Sequence, residues 1–159
     1  MAEAIYPATF DPITNGHVEI AERAAQLFDR LVVGVYDKPL KNWLFSIEER
    51  LEMTRQALAH VDNVEIERYG GLTVNFAQEK NANYIVRGLR TLSDFEWELQ
   101  LSQANHGLVP EIETVCLLAS QKNSFLSSSI LKEIALNEGK IDHLAPPVVV
   151  AALRRKLEI

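Results

Sequence analysis

The sequence predicts an α/β fold: a single-domain, doubly wound, five-stranded parallel sheet, Rossmann-like, in the order 3-2-1-4-5, with helices on both faces. Three observations predict it. Short apolar, β-branched runs alternate with amphipathic helical patterns along all 159 residues, and that alternation specifies a parallel sheet joined by crossover helices. The β-rich runs are too short for hairpin pairing, so with helices between them the strands form a parallel sheet. The most distinctive polar stretches follow strand runs, at the edge where such sheets bind ligands.

The elements follow in order. Ala4-Ile5-Tyr6 reads as a buried first strand. Ala8 to His17 is then a strand-to-helix turn, punctuated by Asp11-Pro12 and Asn15-Gly16, before a helix from Val18 to about Phe28. His17 falls in the first helical turn, beside unpaired N–H groups and the positive end of the dipole. An imidazole there can donate to an anion. The same position, four residues before Ala21, also suits a core histidine. Gly16 lets a ligand approach the backbone, and Thr14 or Asn15 suits a helix cap.

Leu31 to Tyr36 is a second strand, followed by a polar loop from Asp37 to Leu44 that carries Lys38 and Lys41. Ser46 and Glu49 form a capping box for a helix with Ile47, Leu51, Thr54, Leu58 and Val61 in phase. Val64 to Arg68 alternates like a strand near an edge. Leu72 to Lys80 is a third helix, and Tyr84-Ile85-Val86 a fourth strand that ends at Arg87-Gly88-Leu89-Arg90. Ser93 and Glu96 suggest a second capping box, with a helix to about His106. Thr114 to Leu118 is the fifth strand. Ser127 to Asn137 is the next helix, with Ile130, Leu131 and Ile134 inward, and Pro146 or Pro147 opens a last helix that ends near Leu157.

Composition bounds the function. Hydrophobic residues make up 47% and charged residues 24%, ordinary for a globular protein. A net charge of −6 argues against a non-specific nucleic-acid binder or a membrane-surface protein. An anionic substrate must therefore be met by a local cluster of cations. The single cysteine, Cys116, excludes an internal disulfide framework and reads as a small core residue. No apolar stretch approaches the roughly 20 residues that span a bilayer, and the N-terminus lacks a signal-peptide pattern. A cytoplasmic protein with no nucleic-acid or membrane partner is the expectation.

The cations are placed by topology. In the order 3-2-1-4-5 the switch point lies between strands 1 and 4. The Thr9 to His17 turn and the Arg87 to Arg90 stretch therefore face each other across one crevice. Arginine forks match phosphate oxygens in pairs, and lysines in the loop after strand 2 lie on the same edge. The segment Gln121 to Ile130 places Ser127, Ser128 and Ser129 at a helix start, where hydroxyls and free N–H groups suit an anion. Glu96 and Glu98 on the fourth helix are candidate acceptors for a ribose hydroxyl or an adenine amine. That helix carries Phe95 and Leu99 on one side and Trp97, Leu101, Ala104 and Leu108 on another. Two apolar faces mean either deep burial or a subunit contact.

Assembled, these residues resemble a family. Thr9-Phe10-Asp11-Pro12 with Thr14-Asn15-Gly16-His17 resembles the first-turn signature of the nucleotidyltransferase superfamily, with Thr14 where a first histidine is usual. Tyr6 to Pro12, Arg87-Gly88-Leu89-Arg90 with Asp94-Phe95-Glu96, and Ser124 to Ser129 extend the likeness along nearly the whole chain to bacterial phosphopantetheine adenylyltransferases. Ala8 stands where glycine is common there, and Asn123 where an aromatic is common.

The resemblance implies transfer of the adenylyl group of ATP to 4′-phosphopantetheine, giving dephospho-coenzyme A and pyrophosphate with Mg²⁺, in a homohexamer. It implies His17 as the catalytic residue. It implies ATP contacts at Thr9, Phe10, His17, Gly88, Leu89, Arg90, Glu98, Asn123, Ser124, Phe125, Leu126, Ser127, Ser128 and Ser129. It implies contacts to the second substrate at Thr9, Lys41, Thr73 and Arg87, and no dedicated protein metal site, with Mg²⁺ carried mainly by ATP. A related enzyme with another acceptor, such as glycerol phosphate or nicotinate mononucleotide, and a silent nucleotide sensor are the alternatives at this point.

Overall fold

Five parallel strands form one sheet in the order β3-β2-β1-β4-β5. They are β1 (Glu3–Ala8), β2 (Arg30–Tyr36), β3 (Val64–Tyr69), β4 (Tyr84–Leu89) and β5 (Glu113–Leu118). The computed structural model describes residues 1–38 and 42–159. The helices are α1 (Asn15–Leu27), α2 (Ile47–Leu58), α3 (Thr73–Glu79), α4 (Leu92–Leu108), α5 (Ser128–Leu136) and α6 (Pro147–Leu157). The expected order and strand sequence are thus observed. Lys41 lies outside the described residues.

Alternation along the strands builds the two cores. Ala4 and Tyr6 of β1, with Leu31, Val33 and Val35 of β2, point to one face and pack with residues of α1, α2, α5 and α6. Ile5, Val32 and Ile85 point to the other, against Val74, Phe76 and Ala77 of α3. The period-2 pleat sorts these residues, and burial on both faces explains why the inner strands read as continuous apolar runs. Among the described residues, no helix is long and apolar enough to cross a membrane.

One register matters for function. β1 pairs with β2 over six residues, from Glu3 with Arg30 to Ala8 with Val35. β4 pairs with β5 over six as well. Between β1 and β4 only Ala4 with Tyr84 and Ile5 with Ile85 are paired. The two central strands therefore part beyond Ile85, and the switch point opens as a crevice at their carboxyl ends.

Several local expectations are corrected. Helix α1 begins at Asn15, three residues before the expected start, because Thr14 caps it. Helix α4 is capped by Thr91, whose side chain accepts the Asp94 N–H, not by a Ser93–Glu96 box. Ile130 is exposed, while Leu131 and Ala135 are the buried residues of α5 and Ile134 packs against the core as expected. Cys116 is exposed rather than in the core, because β5 is an edge strand with little above that face. Deep burial of α4 is not observed either: Glu98 is its one buried residue, and Leu92, Phe95, Trp97, Leu99 and Leu108 are exposed.

Candidate active site

The crevice at the switch point is a cavity of about 340 Å³. Its walls come from β1 (Tyr6, Pro7, Ala8), the start of α1 (Thr14, Gly16, His17, Ile20), the end of β4 (Arg87, Gly88, Arg90), α4 (Asp94, Trp97, Glu98) and the β5–α5 turn (Asn123, Leu126 to Ser129). The imidazole and both guanidinium groups therefore meet in one place.

The first turn presents His17 in a fixed state. Thr14 is the N-cap of α1, and its Oγ1 accepts the His17 N–H at 3.4 Å. In return, Nδ1 of His17 accepts the Thr14 backbone N–H at 3.0 Å. A capping box of this form leaves Nδ1 as the acceptor, so a neutral ring carries its proton on Nε2. Burial lowers the His17 pKa to about 4, with Arg90 and Arg87 adding to the shift. At neutral pH the ring is thus an uncharged donor. Phe10 packs edge-on against it, with centroids 5.0 Å apart. Phe10 itself is buried, with φ of 50° in the left-handed region, a position uncommon for a bulky residue.

Below this turn lies a group that sequence reading missed. Arg50 of α2 is 1% exposed. Its Nη1 donates to the carbonyls of Thr9 and Tyr36, each at 2.7 Å, and its Nε to that of Phe45 at 3.3 Å. It thereby fastens the first turn, the end of β2 and the start of α2 to one another. Asp11 does the complementary work on N–H groups: its carboxylate accepts from Leu44 and Phe45, both at 2.9 Å, and from Lys132 Nζ of α5 at 3.0 Å. Arg50 stands one turn after Ile47 and beside Leu51, in phase with the apolar stripe. That phase was the available signal.

The opposite wall is built around Arg87. Its Nε and Nη2 donate to the two carboxylate oxygens of Glu98 at 2.9 and 2.8 Å. Its Nη1 donates to the Pro7 carbonyl at 2.7 Å, across the gap where the β1–β4 ladder has ended. Burial opposes the charge of Arg87, but the paired Glu98 outweighs it and raises the pKa above the ordinary arginine value. Three of its five N–H groups are engaged, which leaves two for an anion. Arg90 follows three residues on. Asp94 lies 3.3 Å from its Nε, and its Nη1 reaches the Leu126 carbonyl at 3.1 Å. Gly88 stands between the arginines, where a Cβ would come within 3.2 Å of Ile20 Cγ1.

The third wall is the β5–α5 turn. Ser127 caps α5 by accepting the Ile130 N–H at 3.1 Å. Ser128 donates to the Pro12 carbonyl at 2.8 Å, tying this turn to the first one. Ser129 lines the cleft. Asn123 lines it too, but its side-chain amide donates to Glu19 of α1.

The expected site residues thus fall into groups. His17, Arg87, Gly88, Arg90, Glu98, Asn123, Leu126, Ser127, Ser128 and Ser129 line the cleft. Thr9, Phe10, Leu89, Ser124, Phe125 and Thr73 lie outside that lining. Leu89 and Phe10 are buried and Phe125 is exposed. Thr73 sits at the start of α3, its hydroxyl 3.4 Å from that of Tyr69. Tyr6, Pro7, Asp94 and Trp97 also line the cleft, although no ligand contact was expected of them. Asp94 follows Arg90 at the i+4 spacing of a helical ion pair, a legible signal.

Comparison with known proteins agrees with this geometry. A family model described as cytidylyltransferase-like matches residues 5–134. The chain is 49% identical over 158 residues to the phosphopantetheine adenylyltransferase of Carboxydothermus hydrogenoformans, covering 99% of this chain and 98% of that protein. A Vibrio parahaemolyticus crystal structure, provisionally assigned as a nicotinate-nucleotide adenylyltransferase, superposes with a TM-score of 0.74 at 16% identity over 100% of this chain and 98% of that one, a likeness of fold. With a cytidylyltransferase-like family model over residues 5–134 and a relative of this similarity over its full length, the chain belongs to the phosphopantetheine adenylyltransferase family within the cytidylyltransferase-like nucleotidyltransferases.

Proposed function

We propose that this protein transfers the adenylyl group of ATP to 4′-phosphopantetheine, forming dephospho-coenzyme A and pyrophosphate. The observation that carries the reading is the cleft shared by His17, Arg87 and Arg90, together with the named relative. A phosphate oxygen of the acceptor attacks the α-phosphorus of ATP. A new P–O bond forms, the bond to the β-phosphate oxygen breaks, and pyrophosphate leaves with the electron pair. The attacking phosphate monoester has a second pKa of about 6 and is largely dianionic at neutral pH, so no general base is required. The task is to bring two polyanions together and stabilise charge as it moves.

Each wall has a part in this. The Nε2–H of His17 donates to an oxygen of the α-phosphate as charge builds there. Because the ring stays neutral, it stabilises that oxygen without giving up a proton. The two spare N–H groups of Arg87 face the acceptor phosphate, and Lys41 supplies a further cation from the loop after β2. Arg90, Gly88, Leu89 and the Asn123 to Ser129 turn hold ATP, with the N-terminus of α5 set for its outer phosphates. Thr9, Phe10, Glu98 and Thr73 complete the contacts, the last on the acceptor side. Binding ATP at Glu98 requires the ligand to share a carboxylate that Arg87 already occupies.

Mg²⁺ is part of the proposal as a companion of the nucleotide. The cleft carboxylates Asp94 and Glu98 both face arginines, and among the described residues no group of three His, Cys, Asp or Glu side chains is placed to hold a metal. The ion would be carried mainly by ATP, keeping several of its waters. It supplies charge neutralisation there when bound.

A homohexamer in the cytoplasm is the proposed state; the exposed Leu92, Phe95 and Leu99 on α4, an apolar face that suits a subunit contact, support the assembly. Incubation with ATP, Mg²⁺ and phosphopantetheine should yield dephospho-coenzyme A by mass. ATP binding without release of pyrophosphate would sink the proposal. Sedimentation of the wild type against Leu99→Glu tests the assembly, with a smaller species expected for the variant.

A further inference from the structure

Glu19 of α1 lies two residues beyond His17, and its carboxylate reaches the turn before α5, of which Asn123 lines the cleft. Its Oε2 accepts the Ser120 hydroxyl at 2.7 Å and the Asn123 side-chain amide, while Oε1 accepts the Ser120 backbone N–H at 3.2 Å. Arg23, one turn on, donates to Oε1 at 3.1 Å and to the Leu118 carbonyl at the end of β5 at 2.7 Å. One carboxylate thus gathers four donors, three of them from the turn that leads into α5.

The rest of that turn is held separately. Arg90 donates to the Leu126 carbonyl at 3.1 Å, and Ser128 to the Pro12 carbonyl at 2.8 Å. Glu19 secures the beginning of the turn, where neither of the others reaches. It also explains the orientation of Asn123. That residue is 8% exposed, and its amide is turned to Glu19 instead of being presented to a ligand. Burial works against the charge of Glu19, but the hydrogen bonds from Ser120 and Asn123 prevail and hold its pKa below the usual carboxylate range.

From this geometry we infer that Glu19 is a positioning residue for nucleotide binding, locking the Ser120 to Asn123 turn onto the helix that carries His17. The inference deepens the adenylyltransferase reading and rests on it for the identity of the nucleotide. Its reach is one-sided. The network touches the ATP wall and, among the described residues, makes no hydrogen bond to Arg87 or Thr73, two of the residues assigned to the acceptor.

The test is Glu19→Gln, which puts an amide N–H in place of one acceptor oxygen, alongside Glu19→Gln/Asn123→Asp, which reverses the polarity of the pair and restores a hydrogen bond. ATP affinity is measured by calorimetry without acceptor, and both KM values by pyrophosphate release. Glu19→Gln should weaken ATP binding and raise its KM about tenfold, with the phosphopantetheine KM within twofold. The double variant should recover at least half of the loss on a logarithmic scale. A lowered melting temperature with unchanged ATP affinity, an equal rise in both KM values, or no recovery in the double variant would each overturn the positioning role. Formation of dephospho-coenzyme A by the wild type judges the underlying reading independently. Calorimetry of ATP alone still judges Glu19 if another acceptor is the true one.

Discussion

Arg87 and Glu98 meet in a two-point ion pair, at 2.9 and 2.8 Å, at the mouth of the gap between β1 and β4. Glu98 is 6% exposed, so its carboxylate is met by that partner rather than by bulk water. Removal of one member of such a pair costs far more than removal of both. Arg87→Ala should lower stability by about 3 kcal/mol, since it leaves a buried carboxylate alone. Arg87→Ala/Glu98→Gln should be the more stable of the two variants by about 1 kcal/mol or more in urea unfolding. Equal stabilities would mean that water already compensates Glu98.

His17 is expected to act on the rate and little on binding. Loss of one preorganised donor to a developing oxyanion typically lowers turnover by about 10²–10³. His17→Ala should show that fall in kcat, with the calorimetric Kd for ATP within about threefold. A parallel loss of ATP affinity would make His17 a ground-state contact instead.

The same residue gives a pH signature. Burial, aided by Arg90 and Arg87, holds the folded pKa near 4, against about 6.5 for an unperturbed histidine. Between these values the unfolded chain binds more protons than the folded one, so stability rises with pH. The contribution is complete above about pH 6.5 and is lost as pH falls toward 4. Denaturant unfolding of wild type and His17→Asn at pH 7.5 and 5 isolates it. The wild type should lose more stability on acidification than the variant. In the catalytic range above pH 6, kcat should show no step attributable to this ring.

Arg50 is a test of buried backbone satisfaction. Arg50→Met keeps volume but strands the carbonyls of Thr9, Tyr36 and Phe45 that it now serves. Unpaired buried polar groups cost about 1–3 kcal/mol each. Local relaxation and water recover part of this, so a net loss of about 3 kcal/mol is expected. Thermal unfolding checks it, and a variant as stable as the wild type would show that these carbonyls find other donors.

The sequence by itself determined the fold class, the strand order and the face of the sheet on which chemistry occurs. Those follow from patterning that is local and periodic: alternating strands, amphipathic helices, and capping residues such as Ser46 with Glu49. It also singled out His17, Arg87 and Arg90, because their residue types and their places after strands carry meaning before folding.

Only the tertiary structure decided which charges are spent and which are available. Glu98 looks free in sequence but is taken by Arg87, eleven positions away. Asn123 turns to Glu19 across 104 positions, and Arg50 is consumed by three carbonyls. The parting of β1 from β4 after two paired residues, which makes the cleft at all, is likewise invisible in either strand alone. Hydrogen bonds of this kind depend on distances between segments remote in the chain, and no periodicity within a segment encodes them.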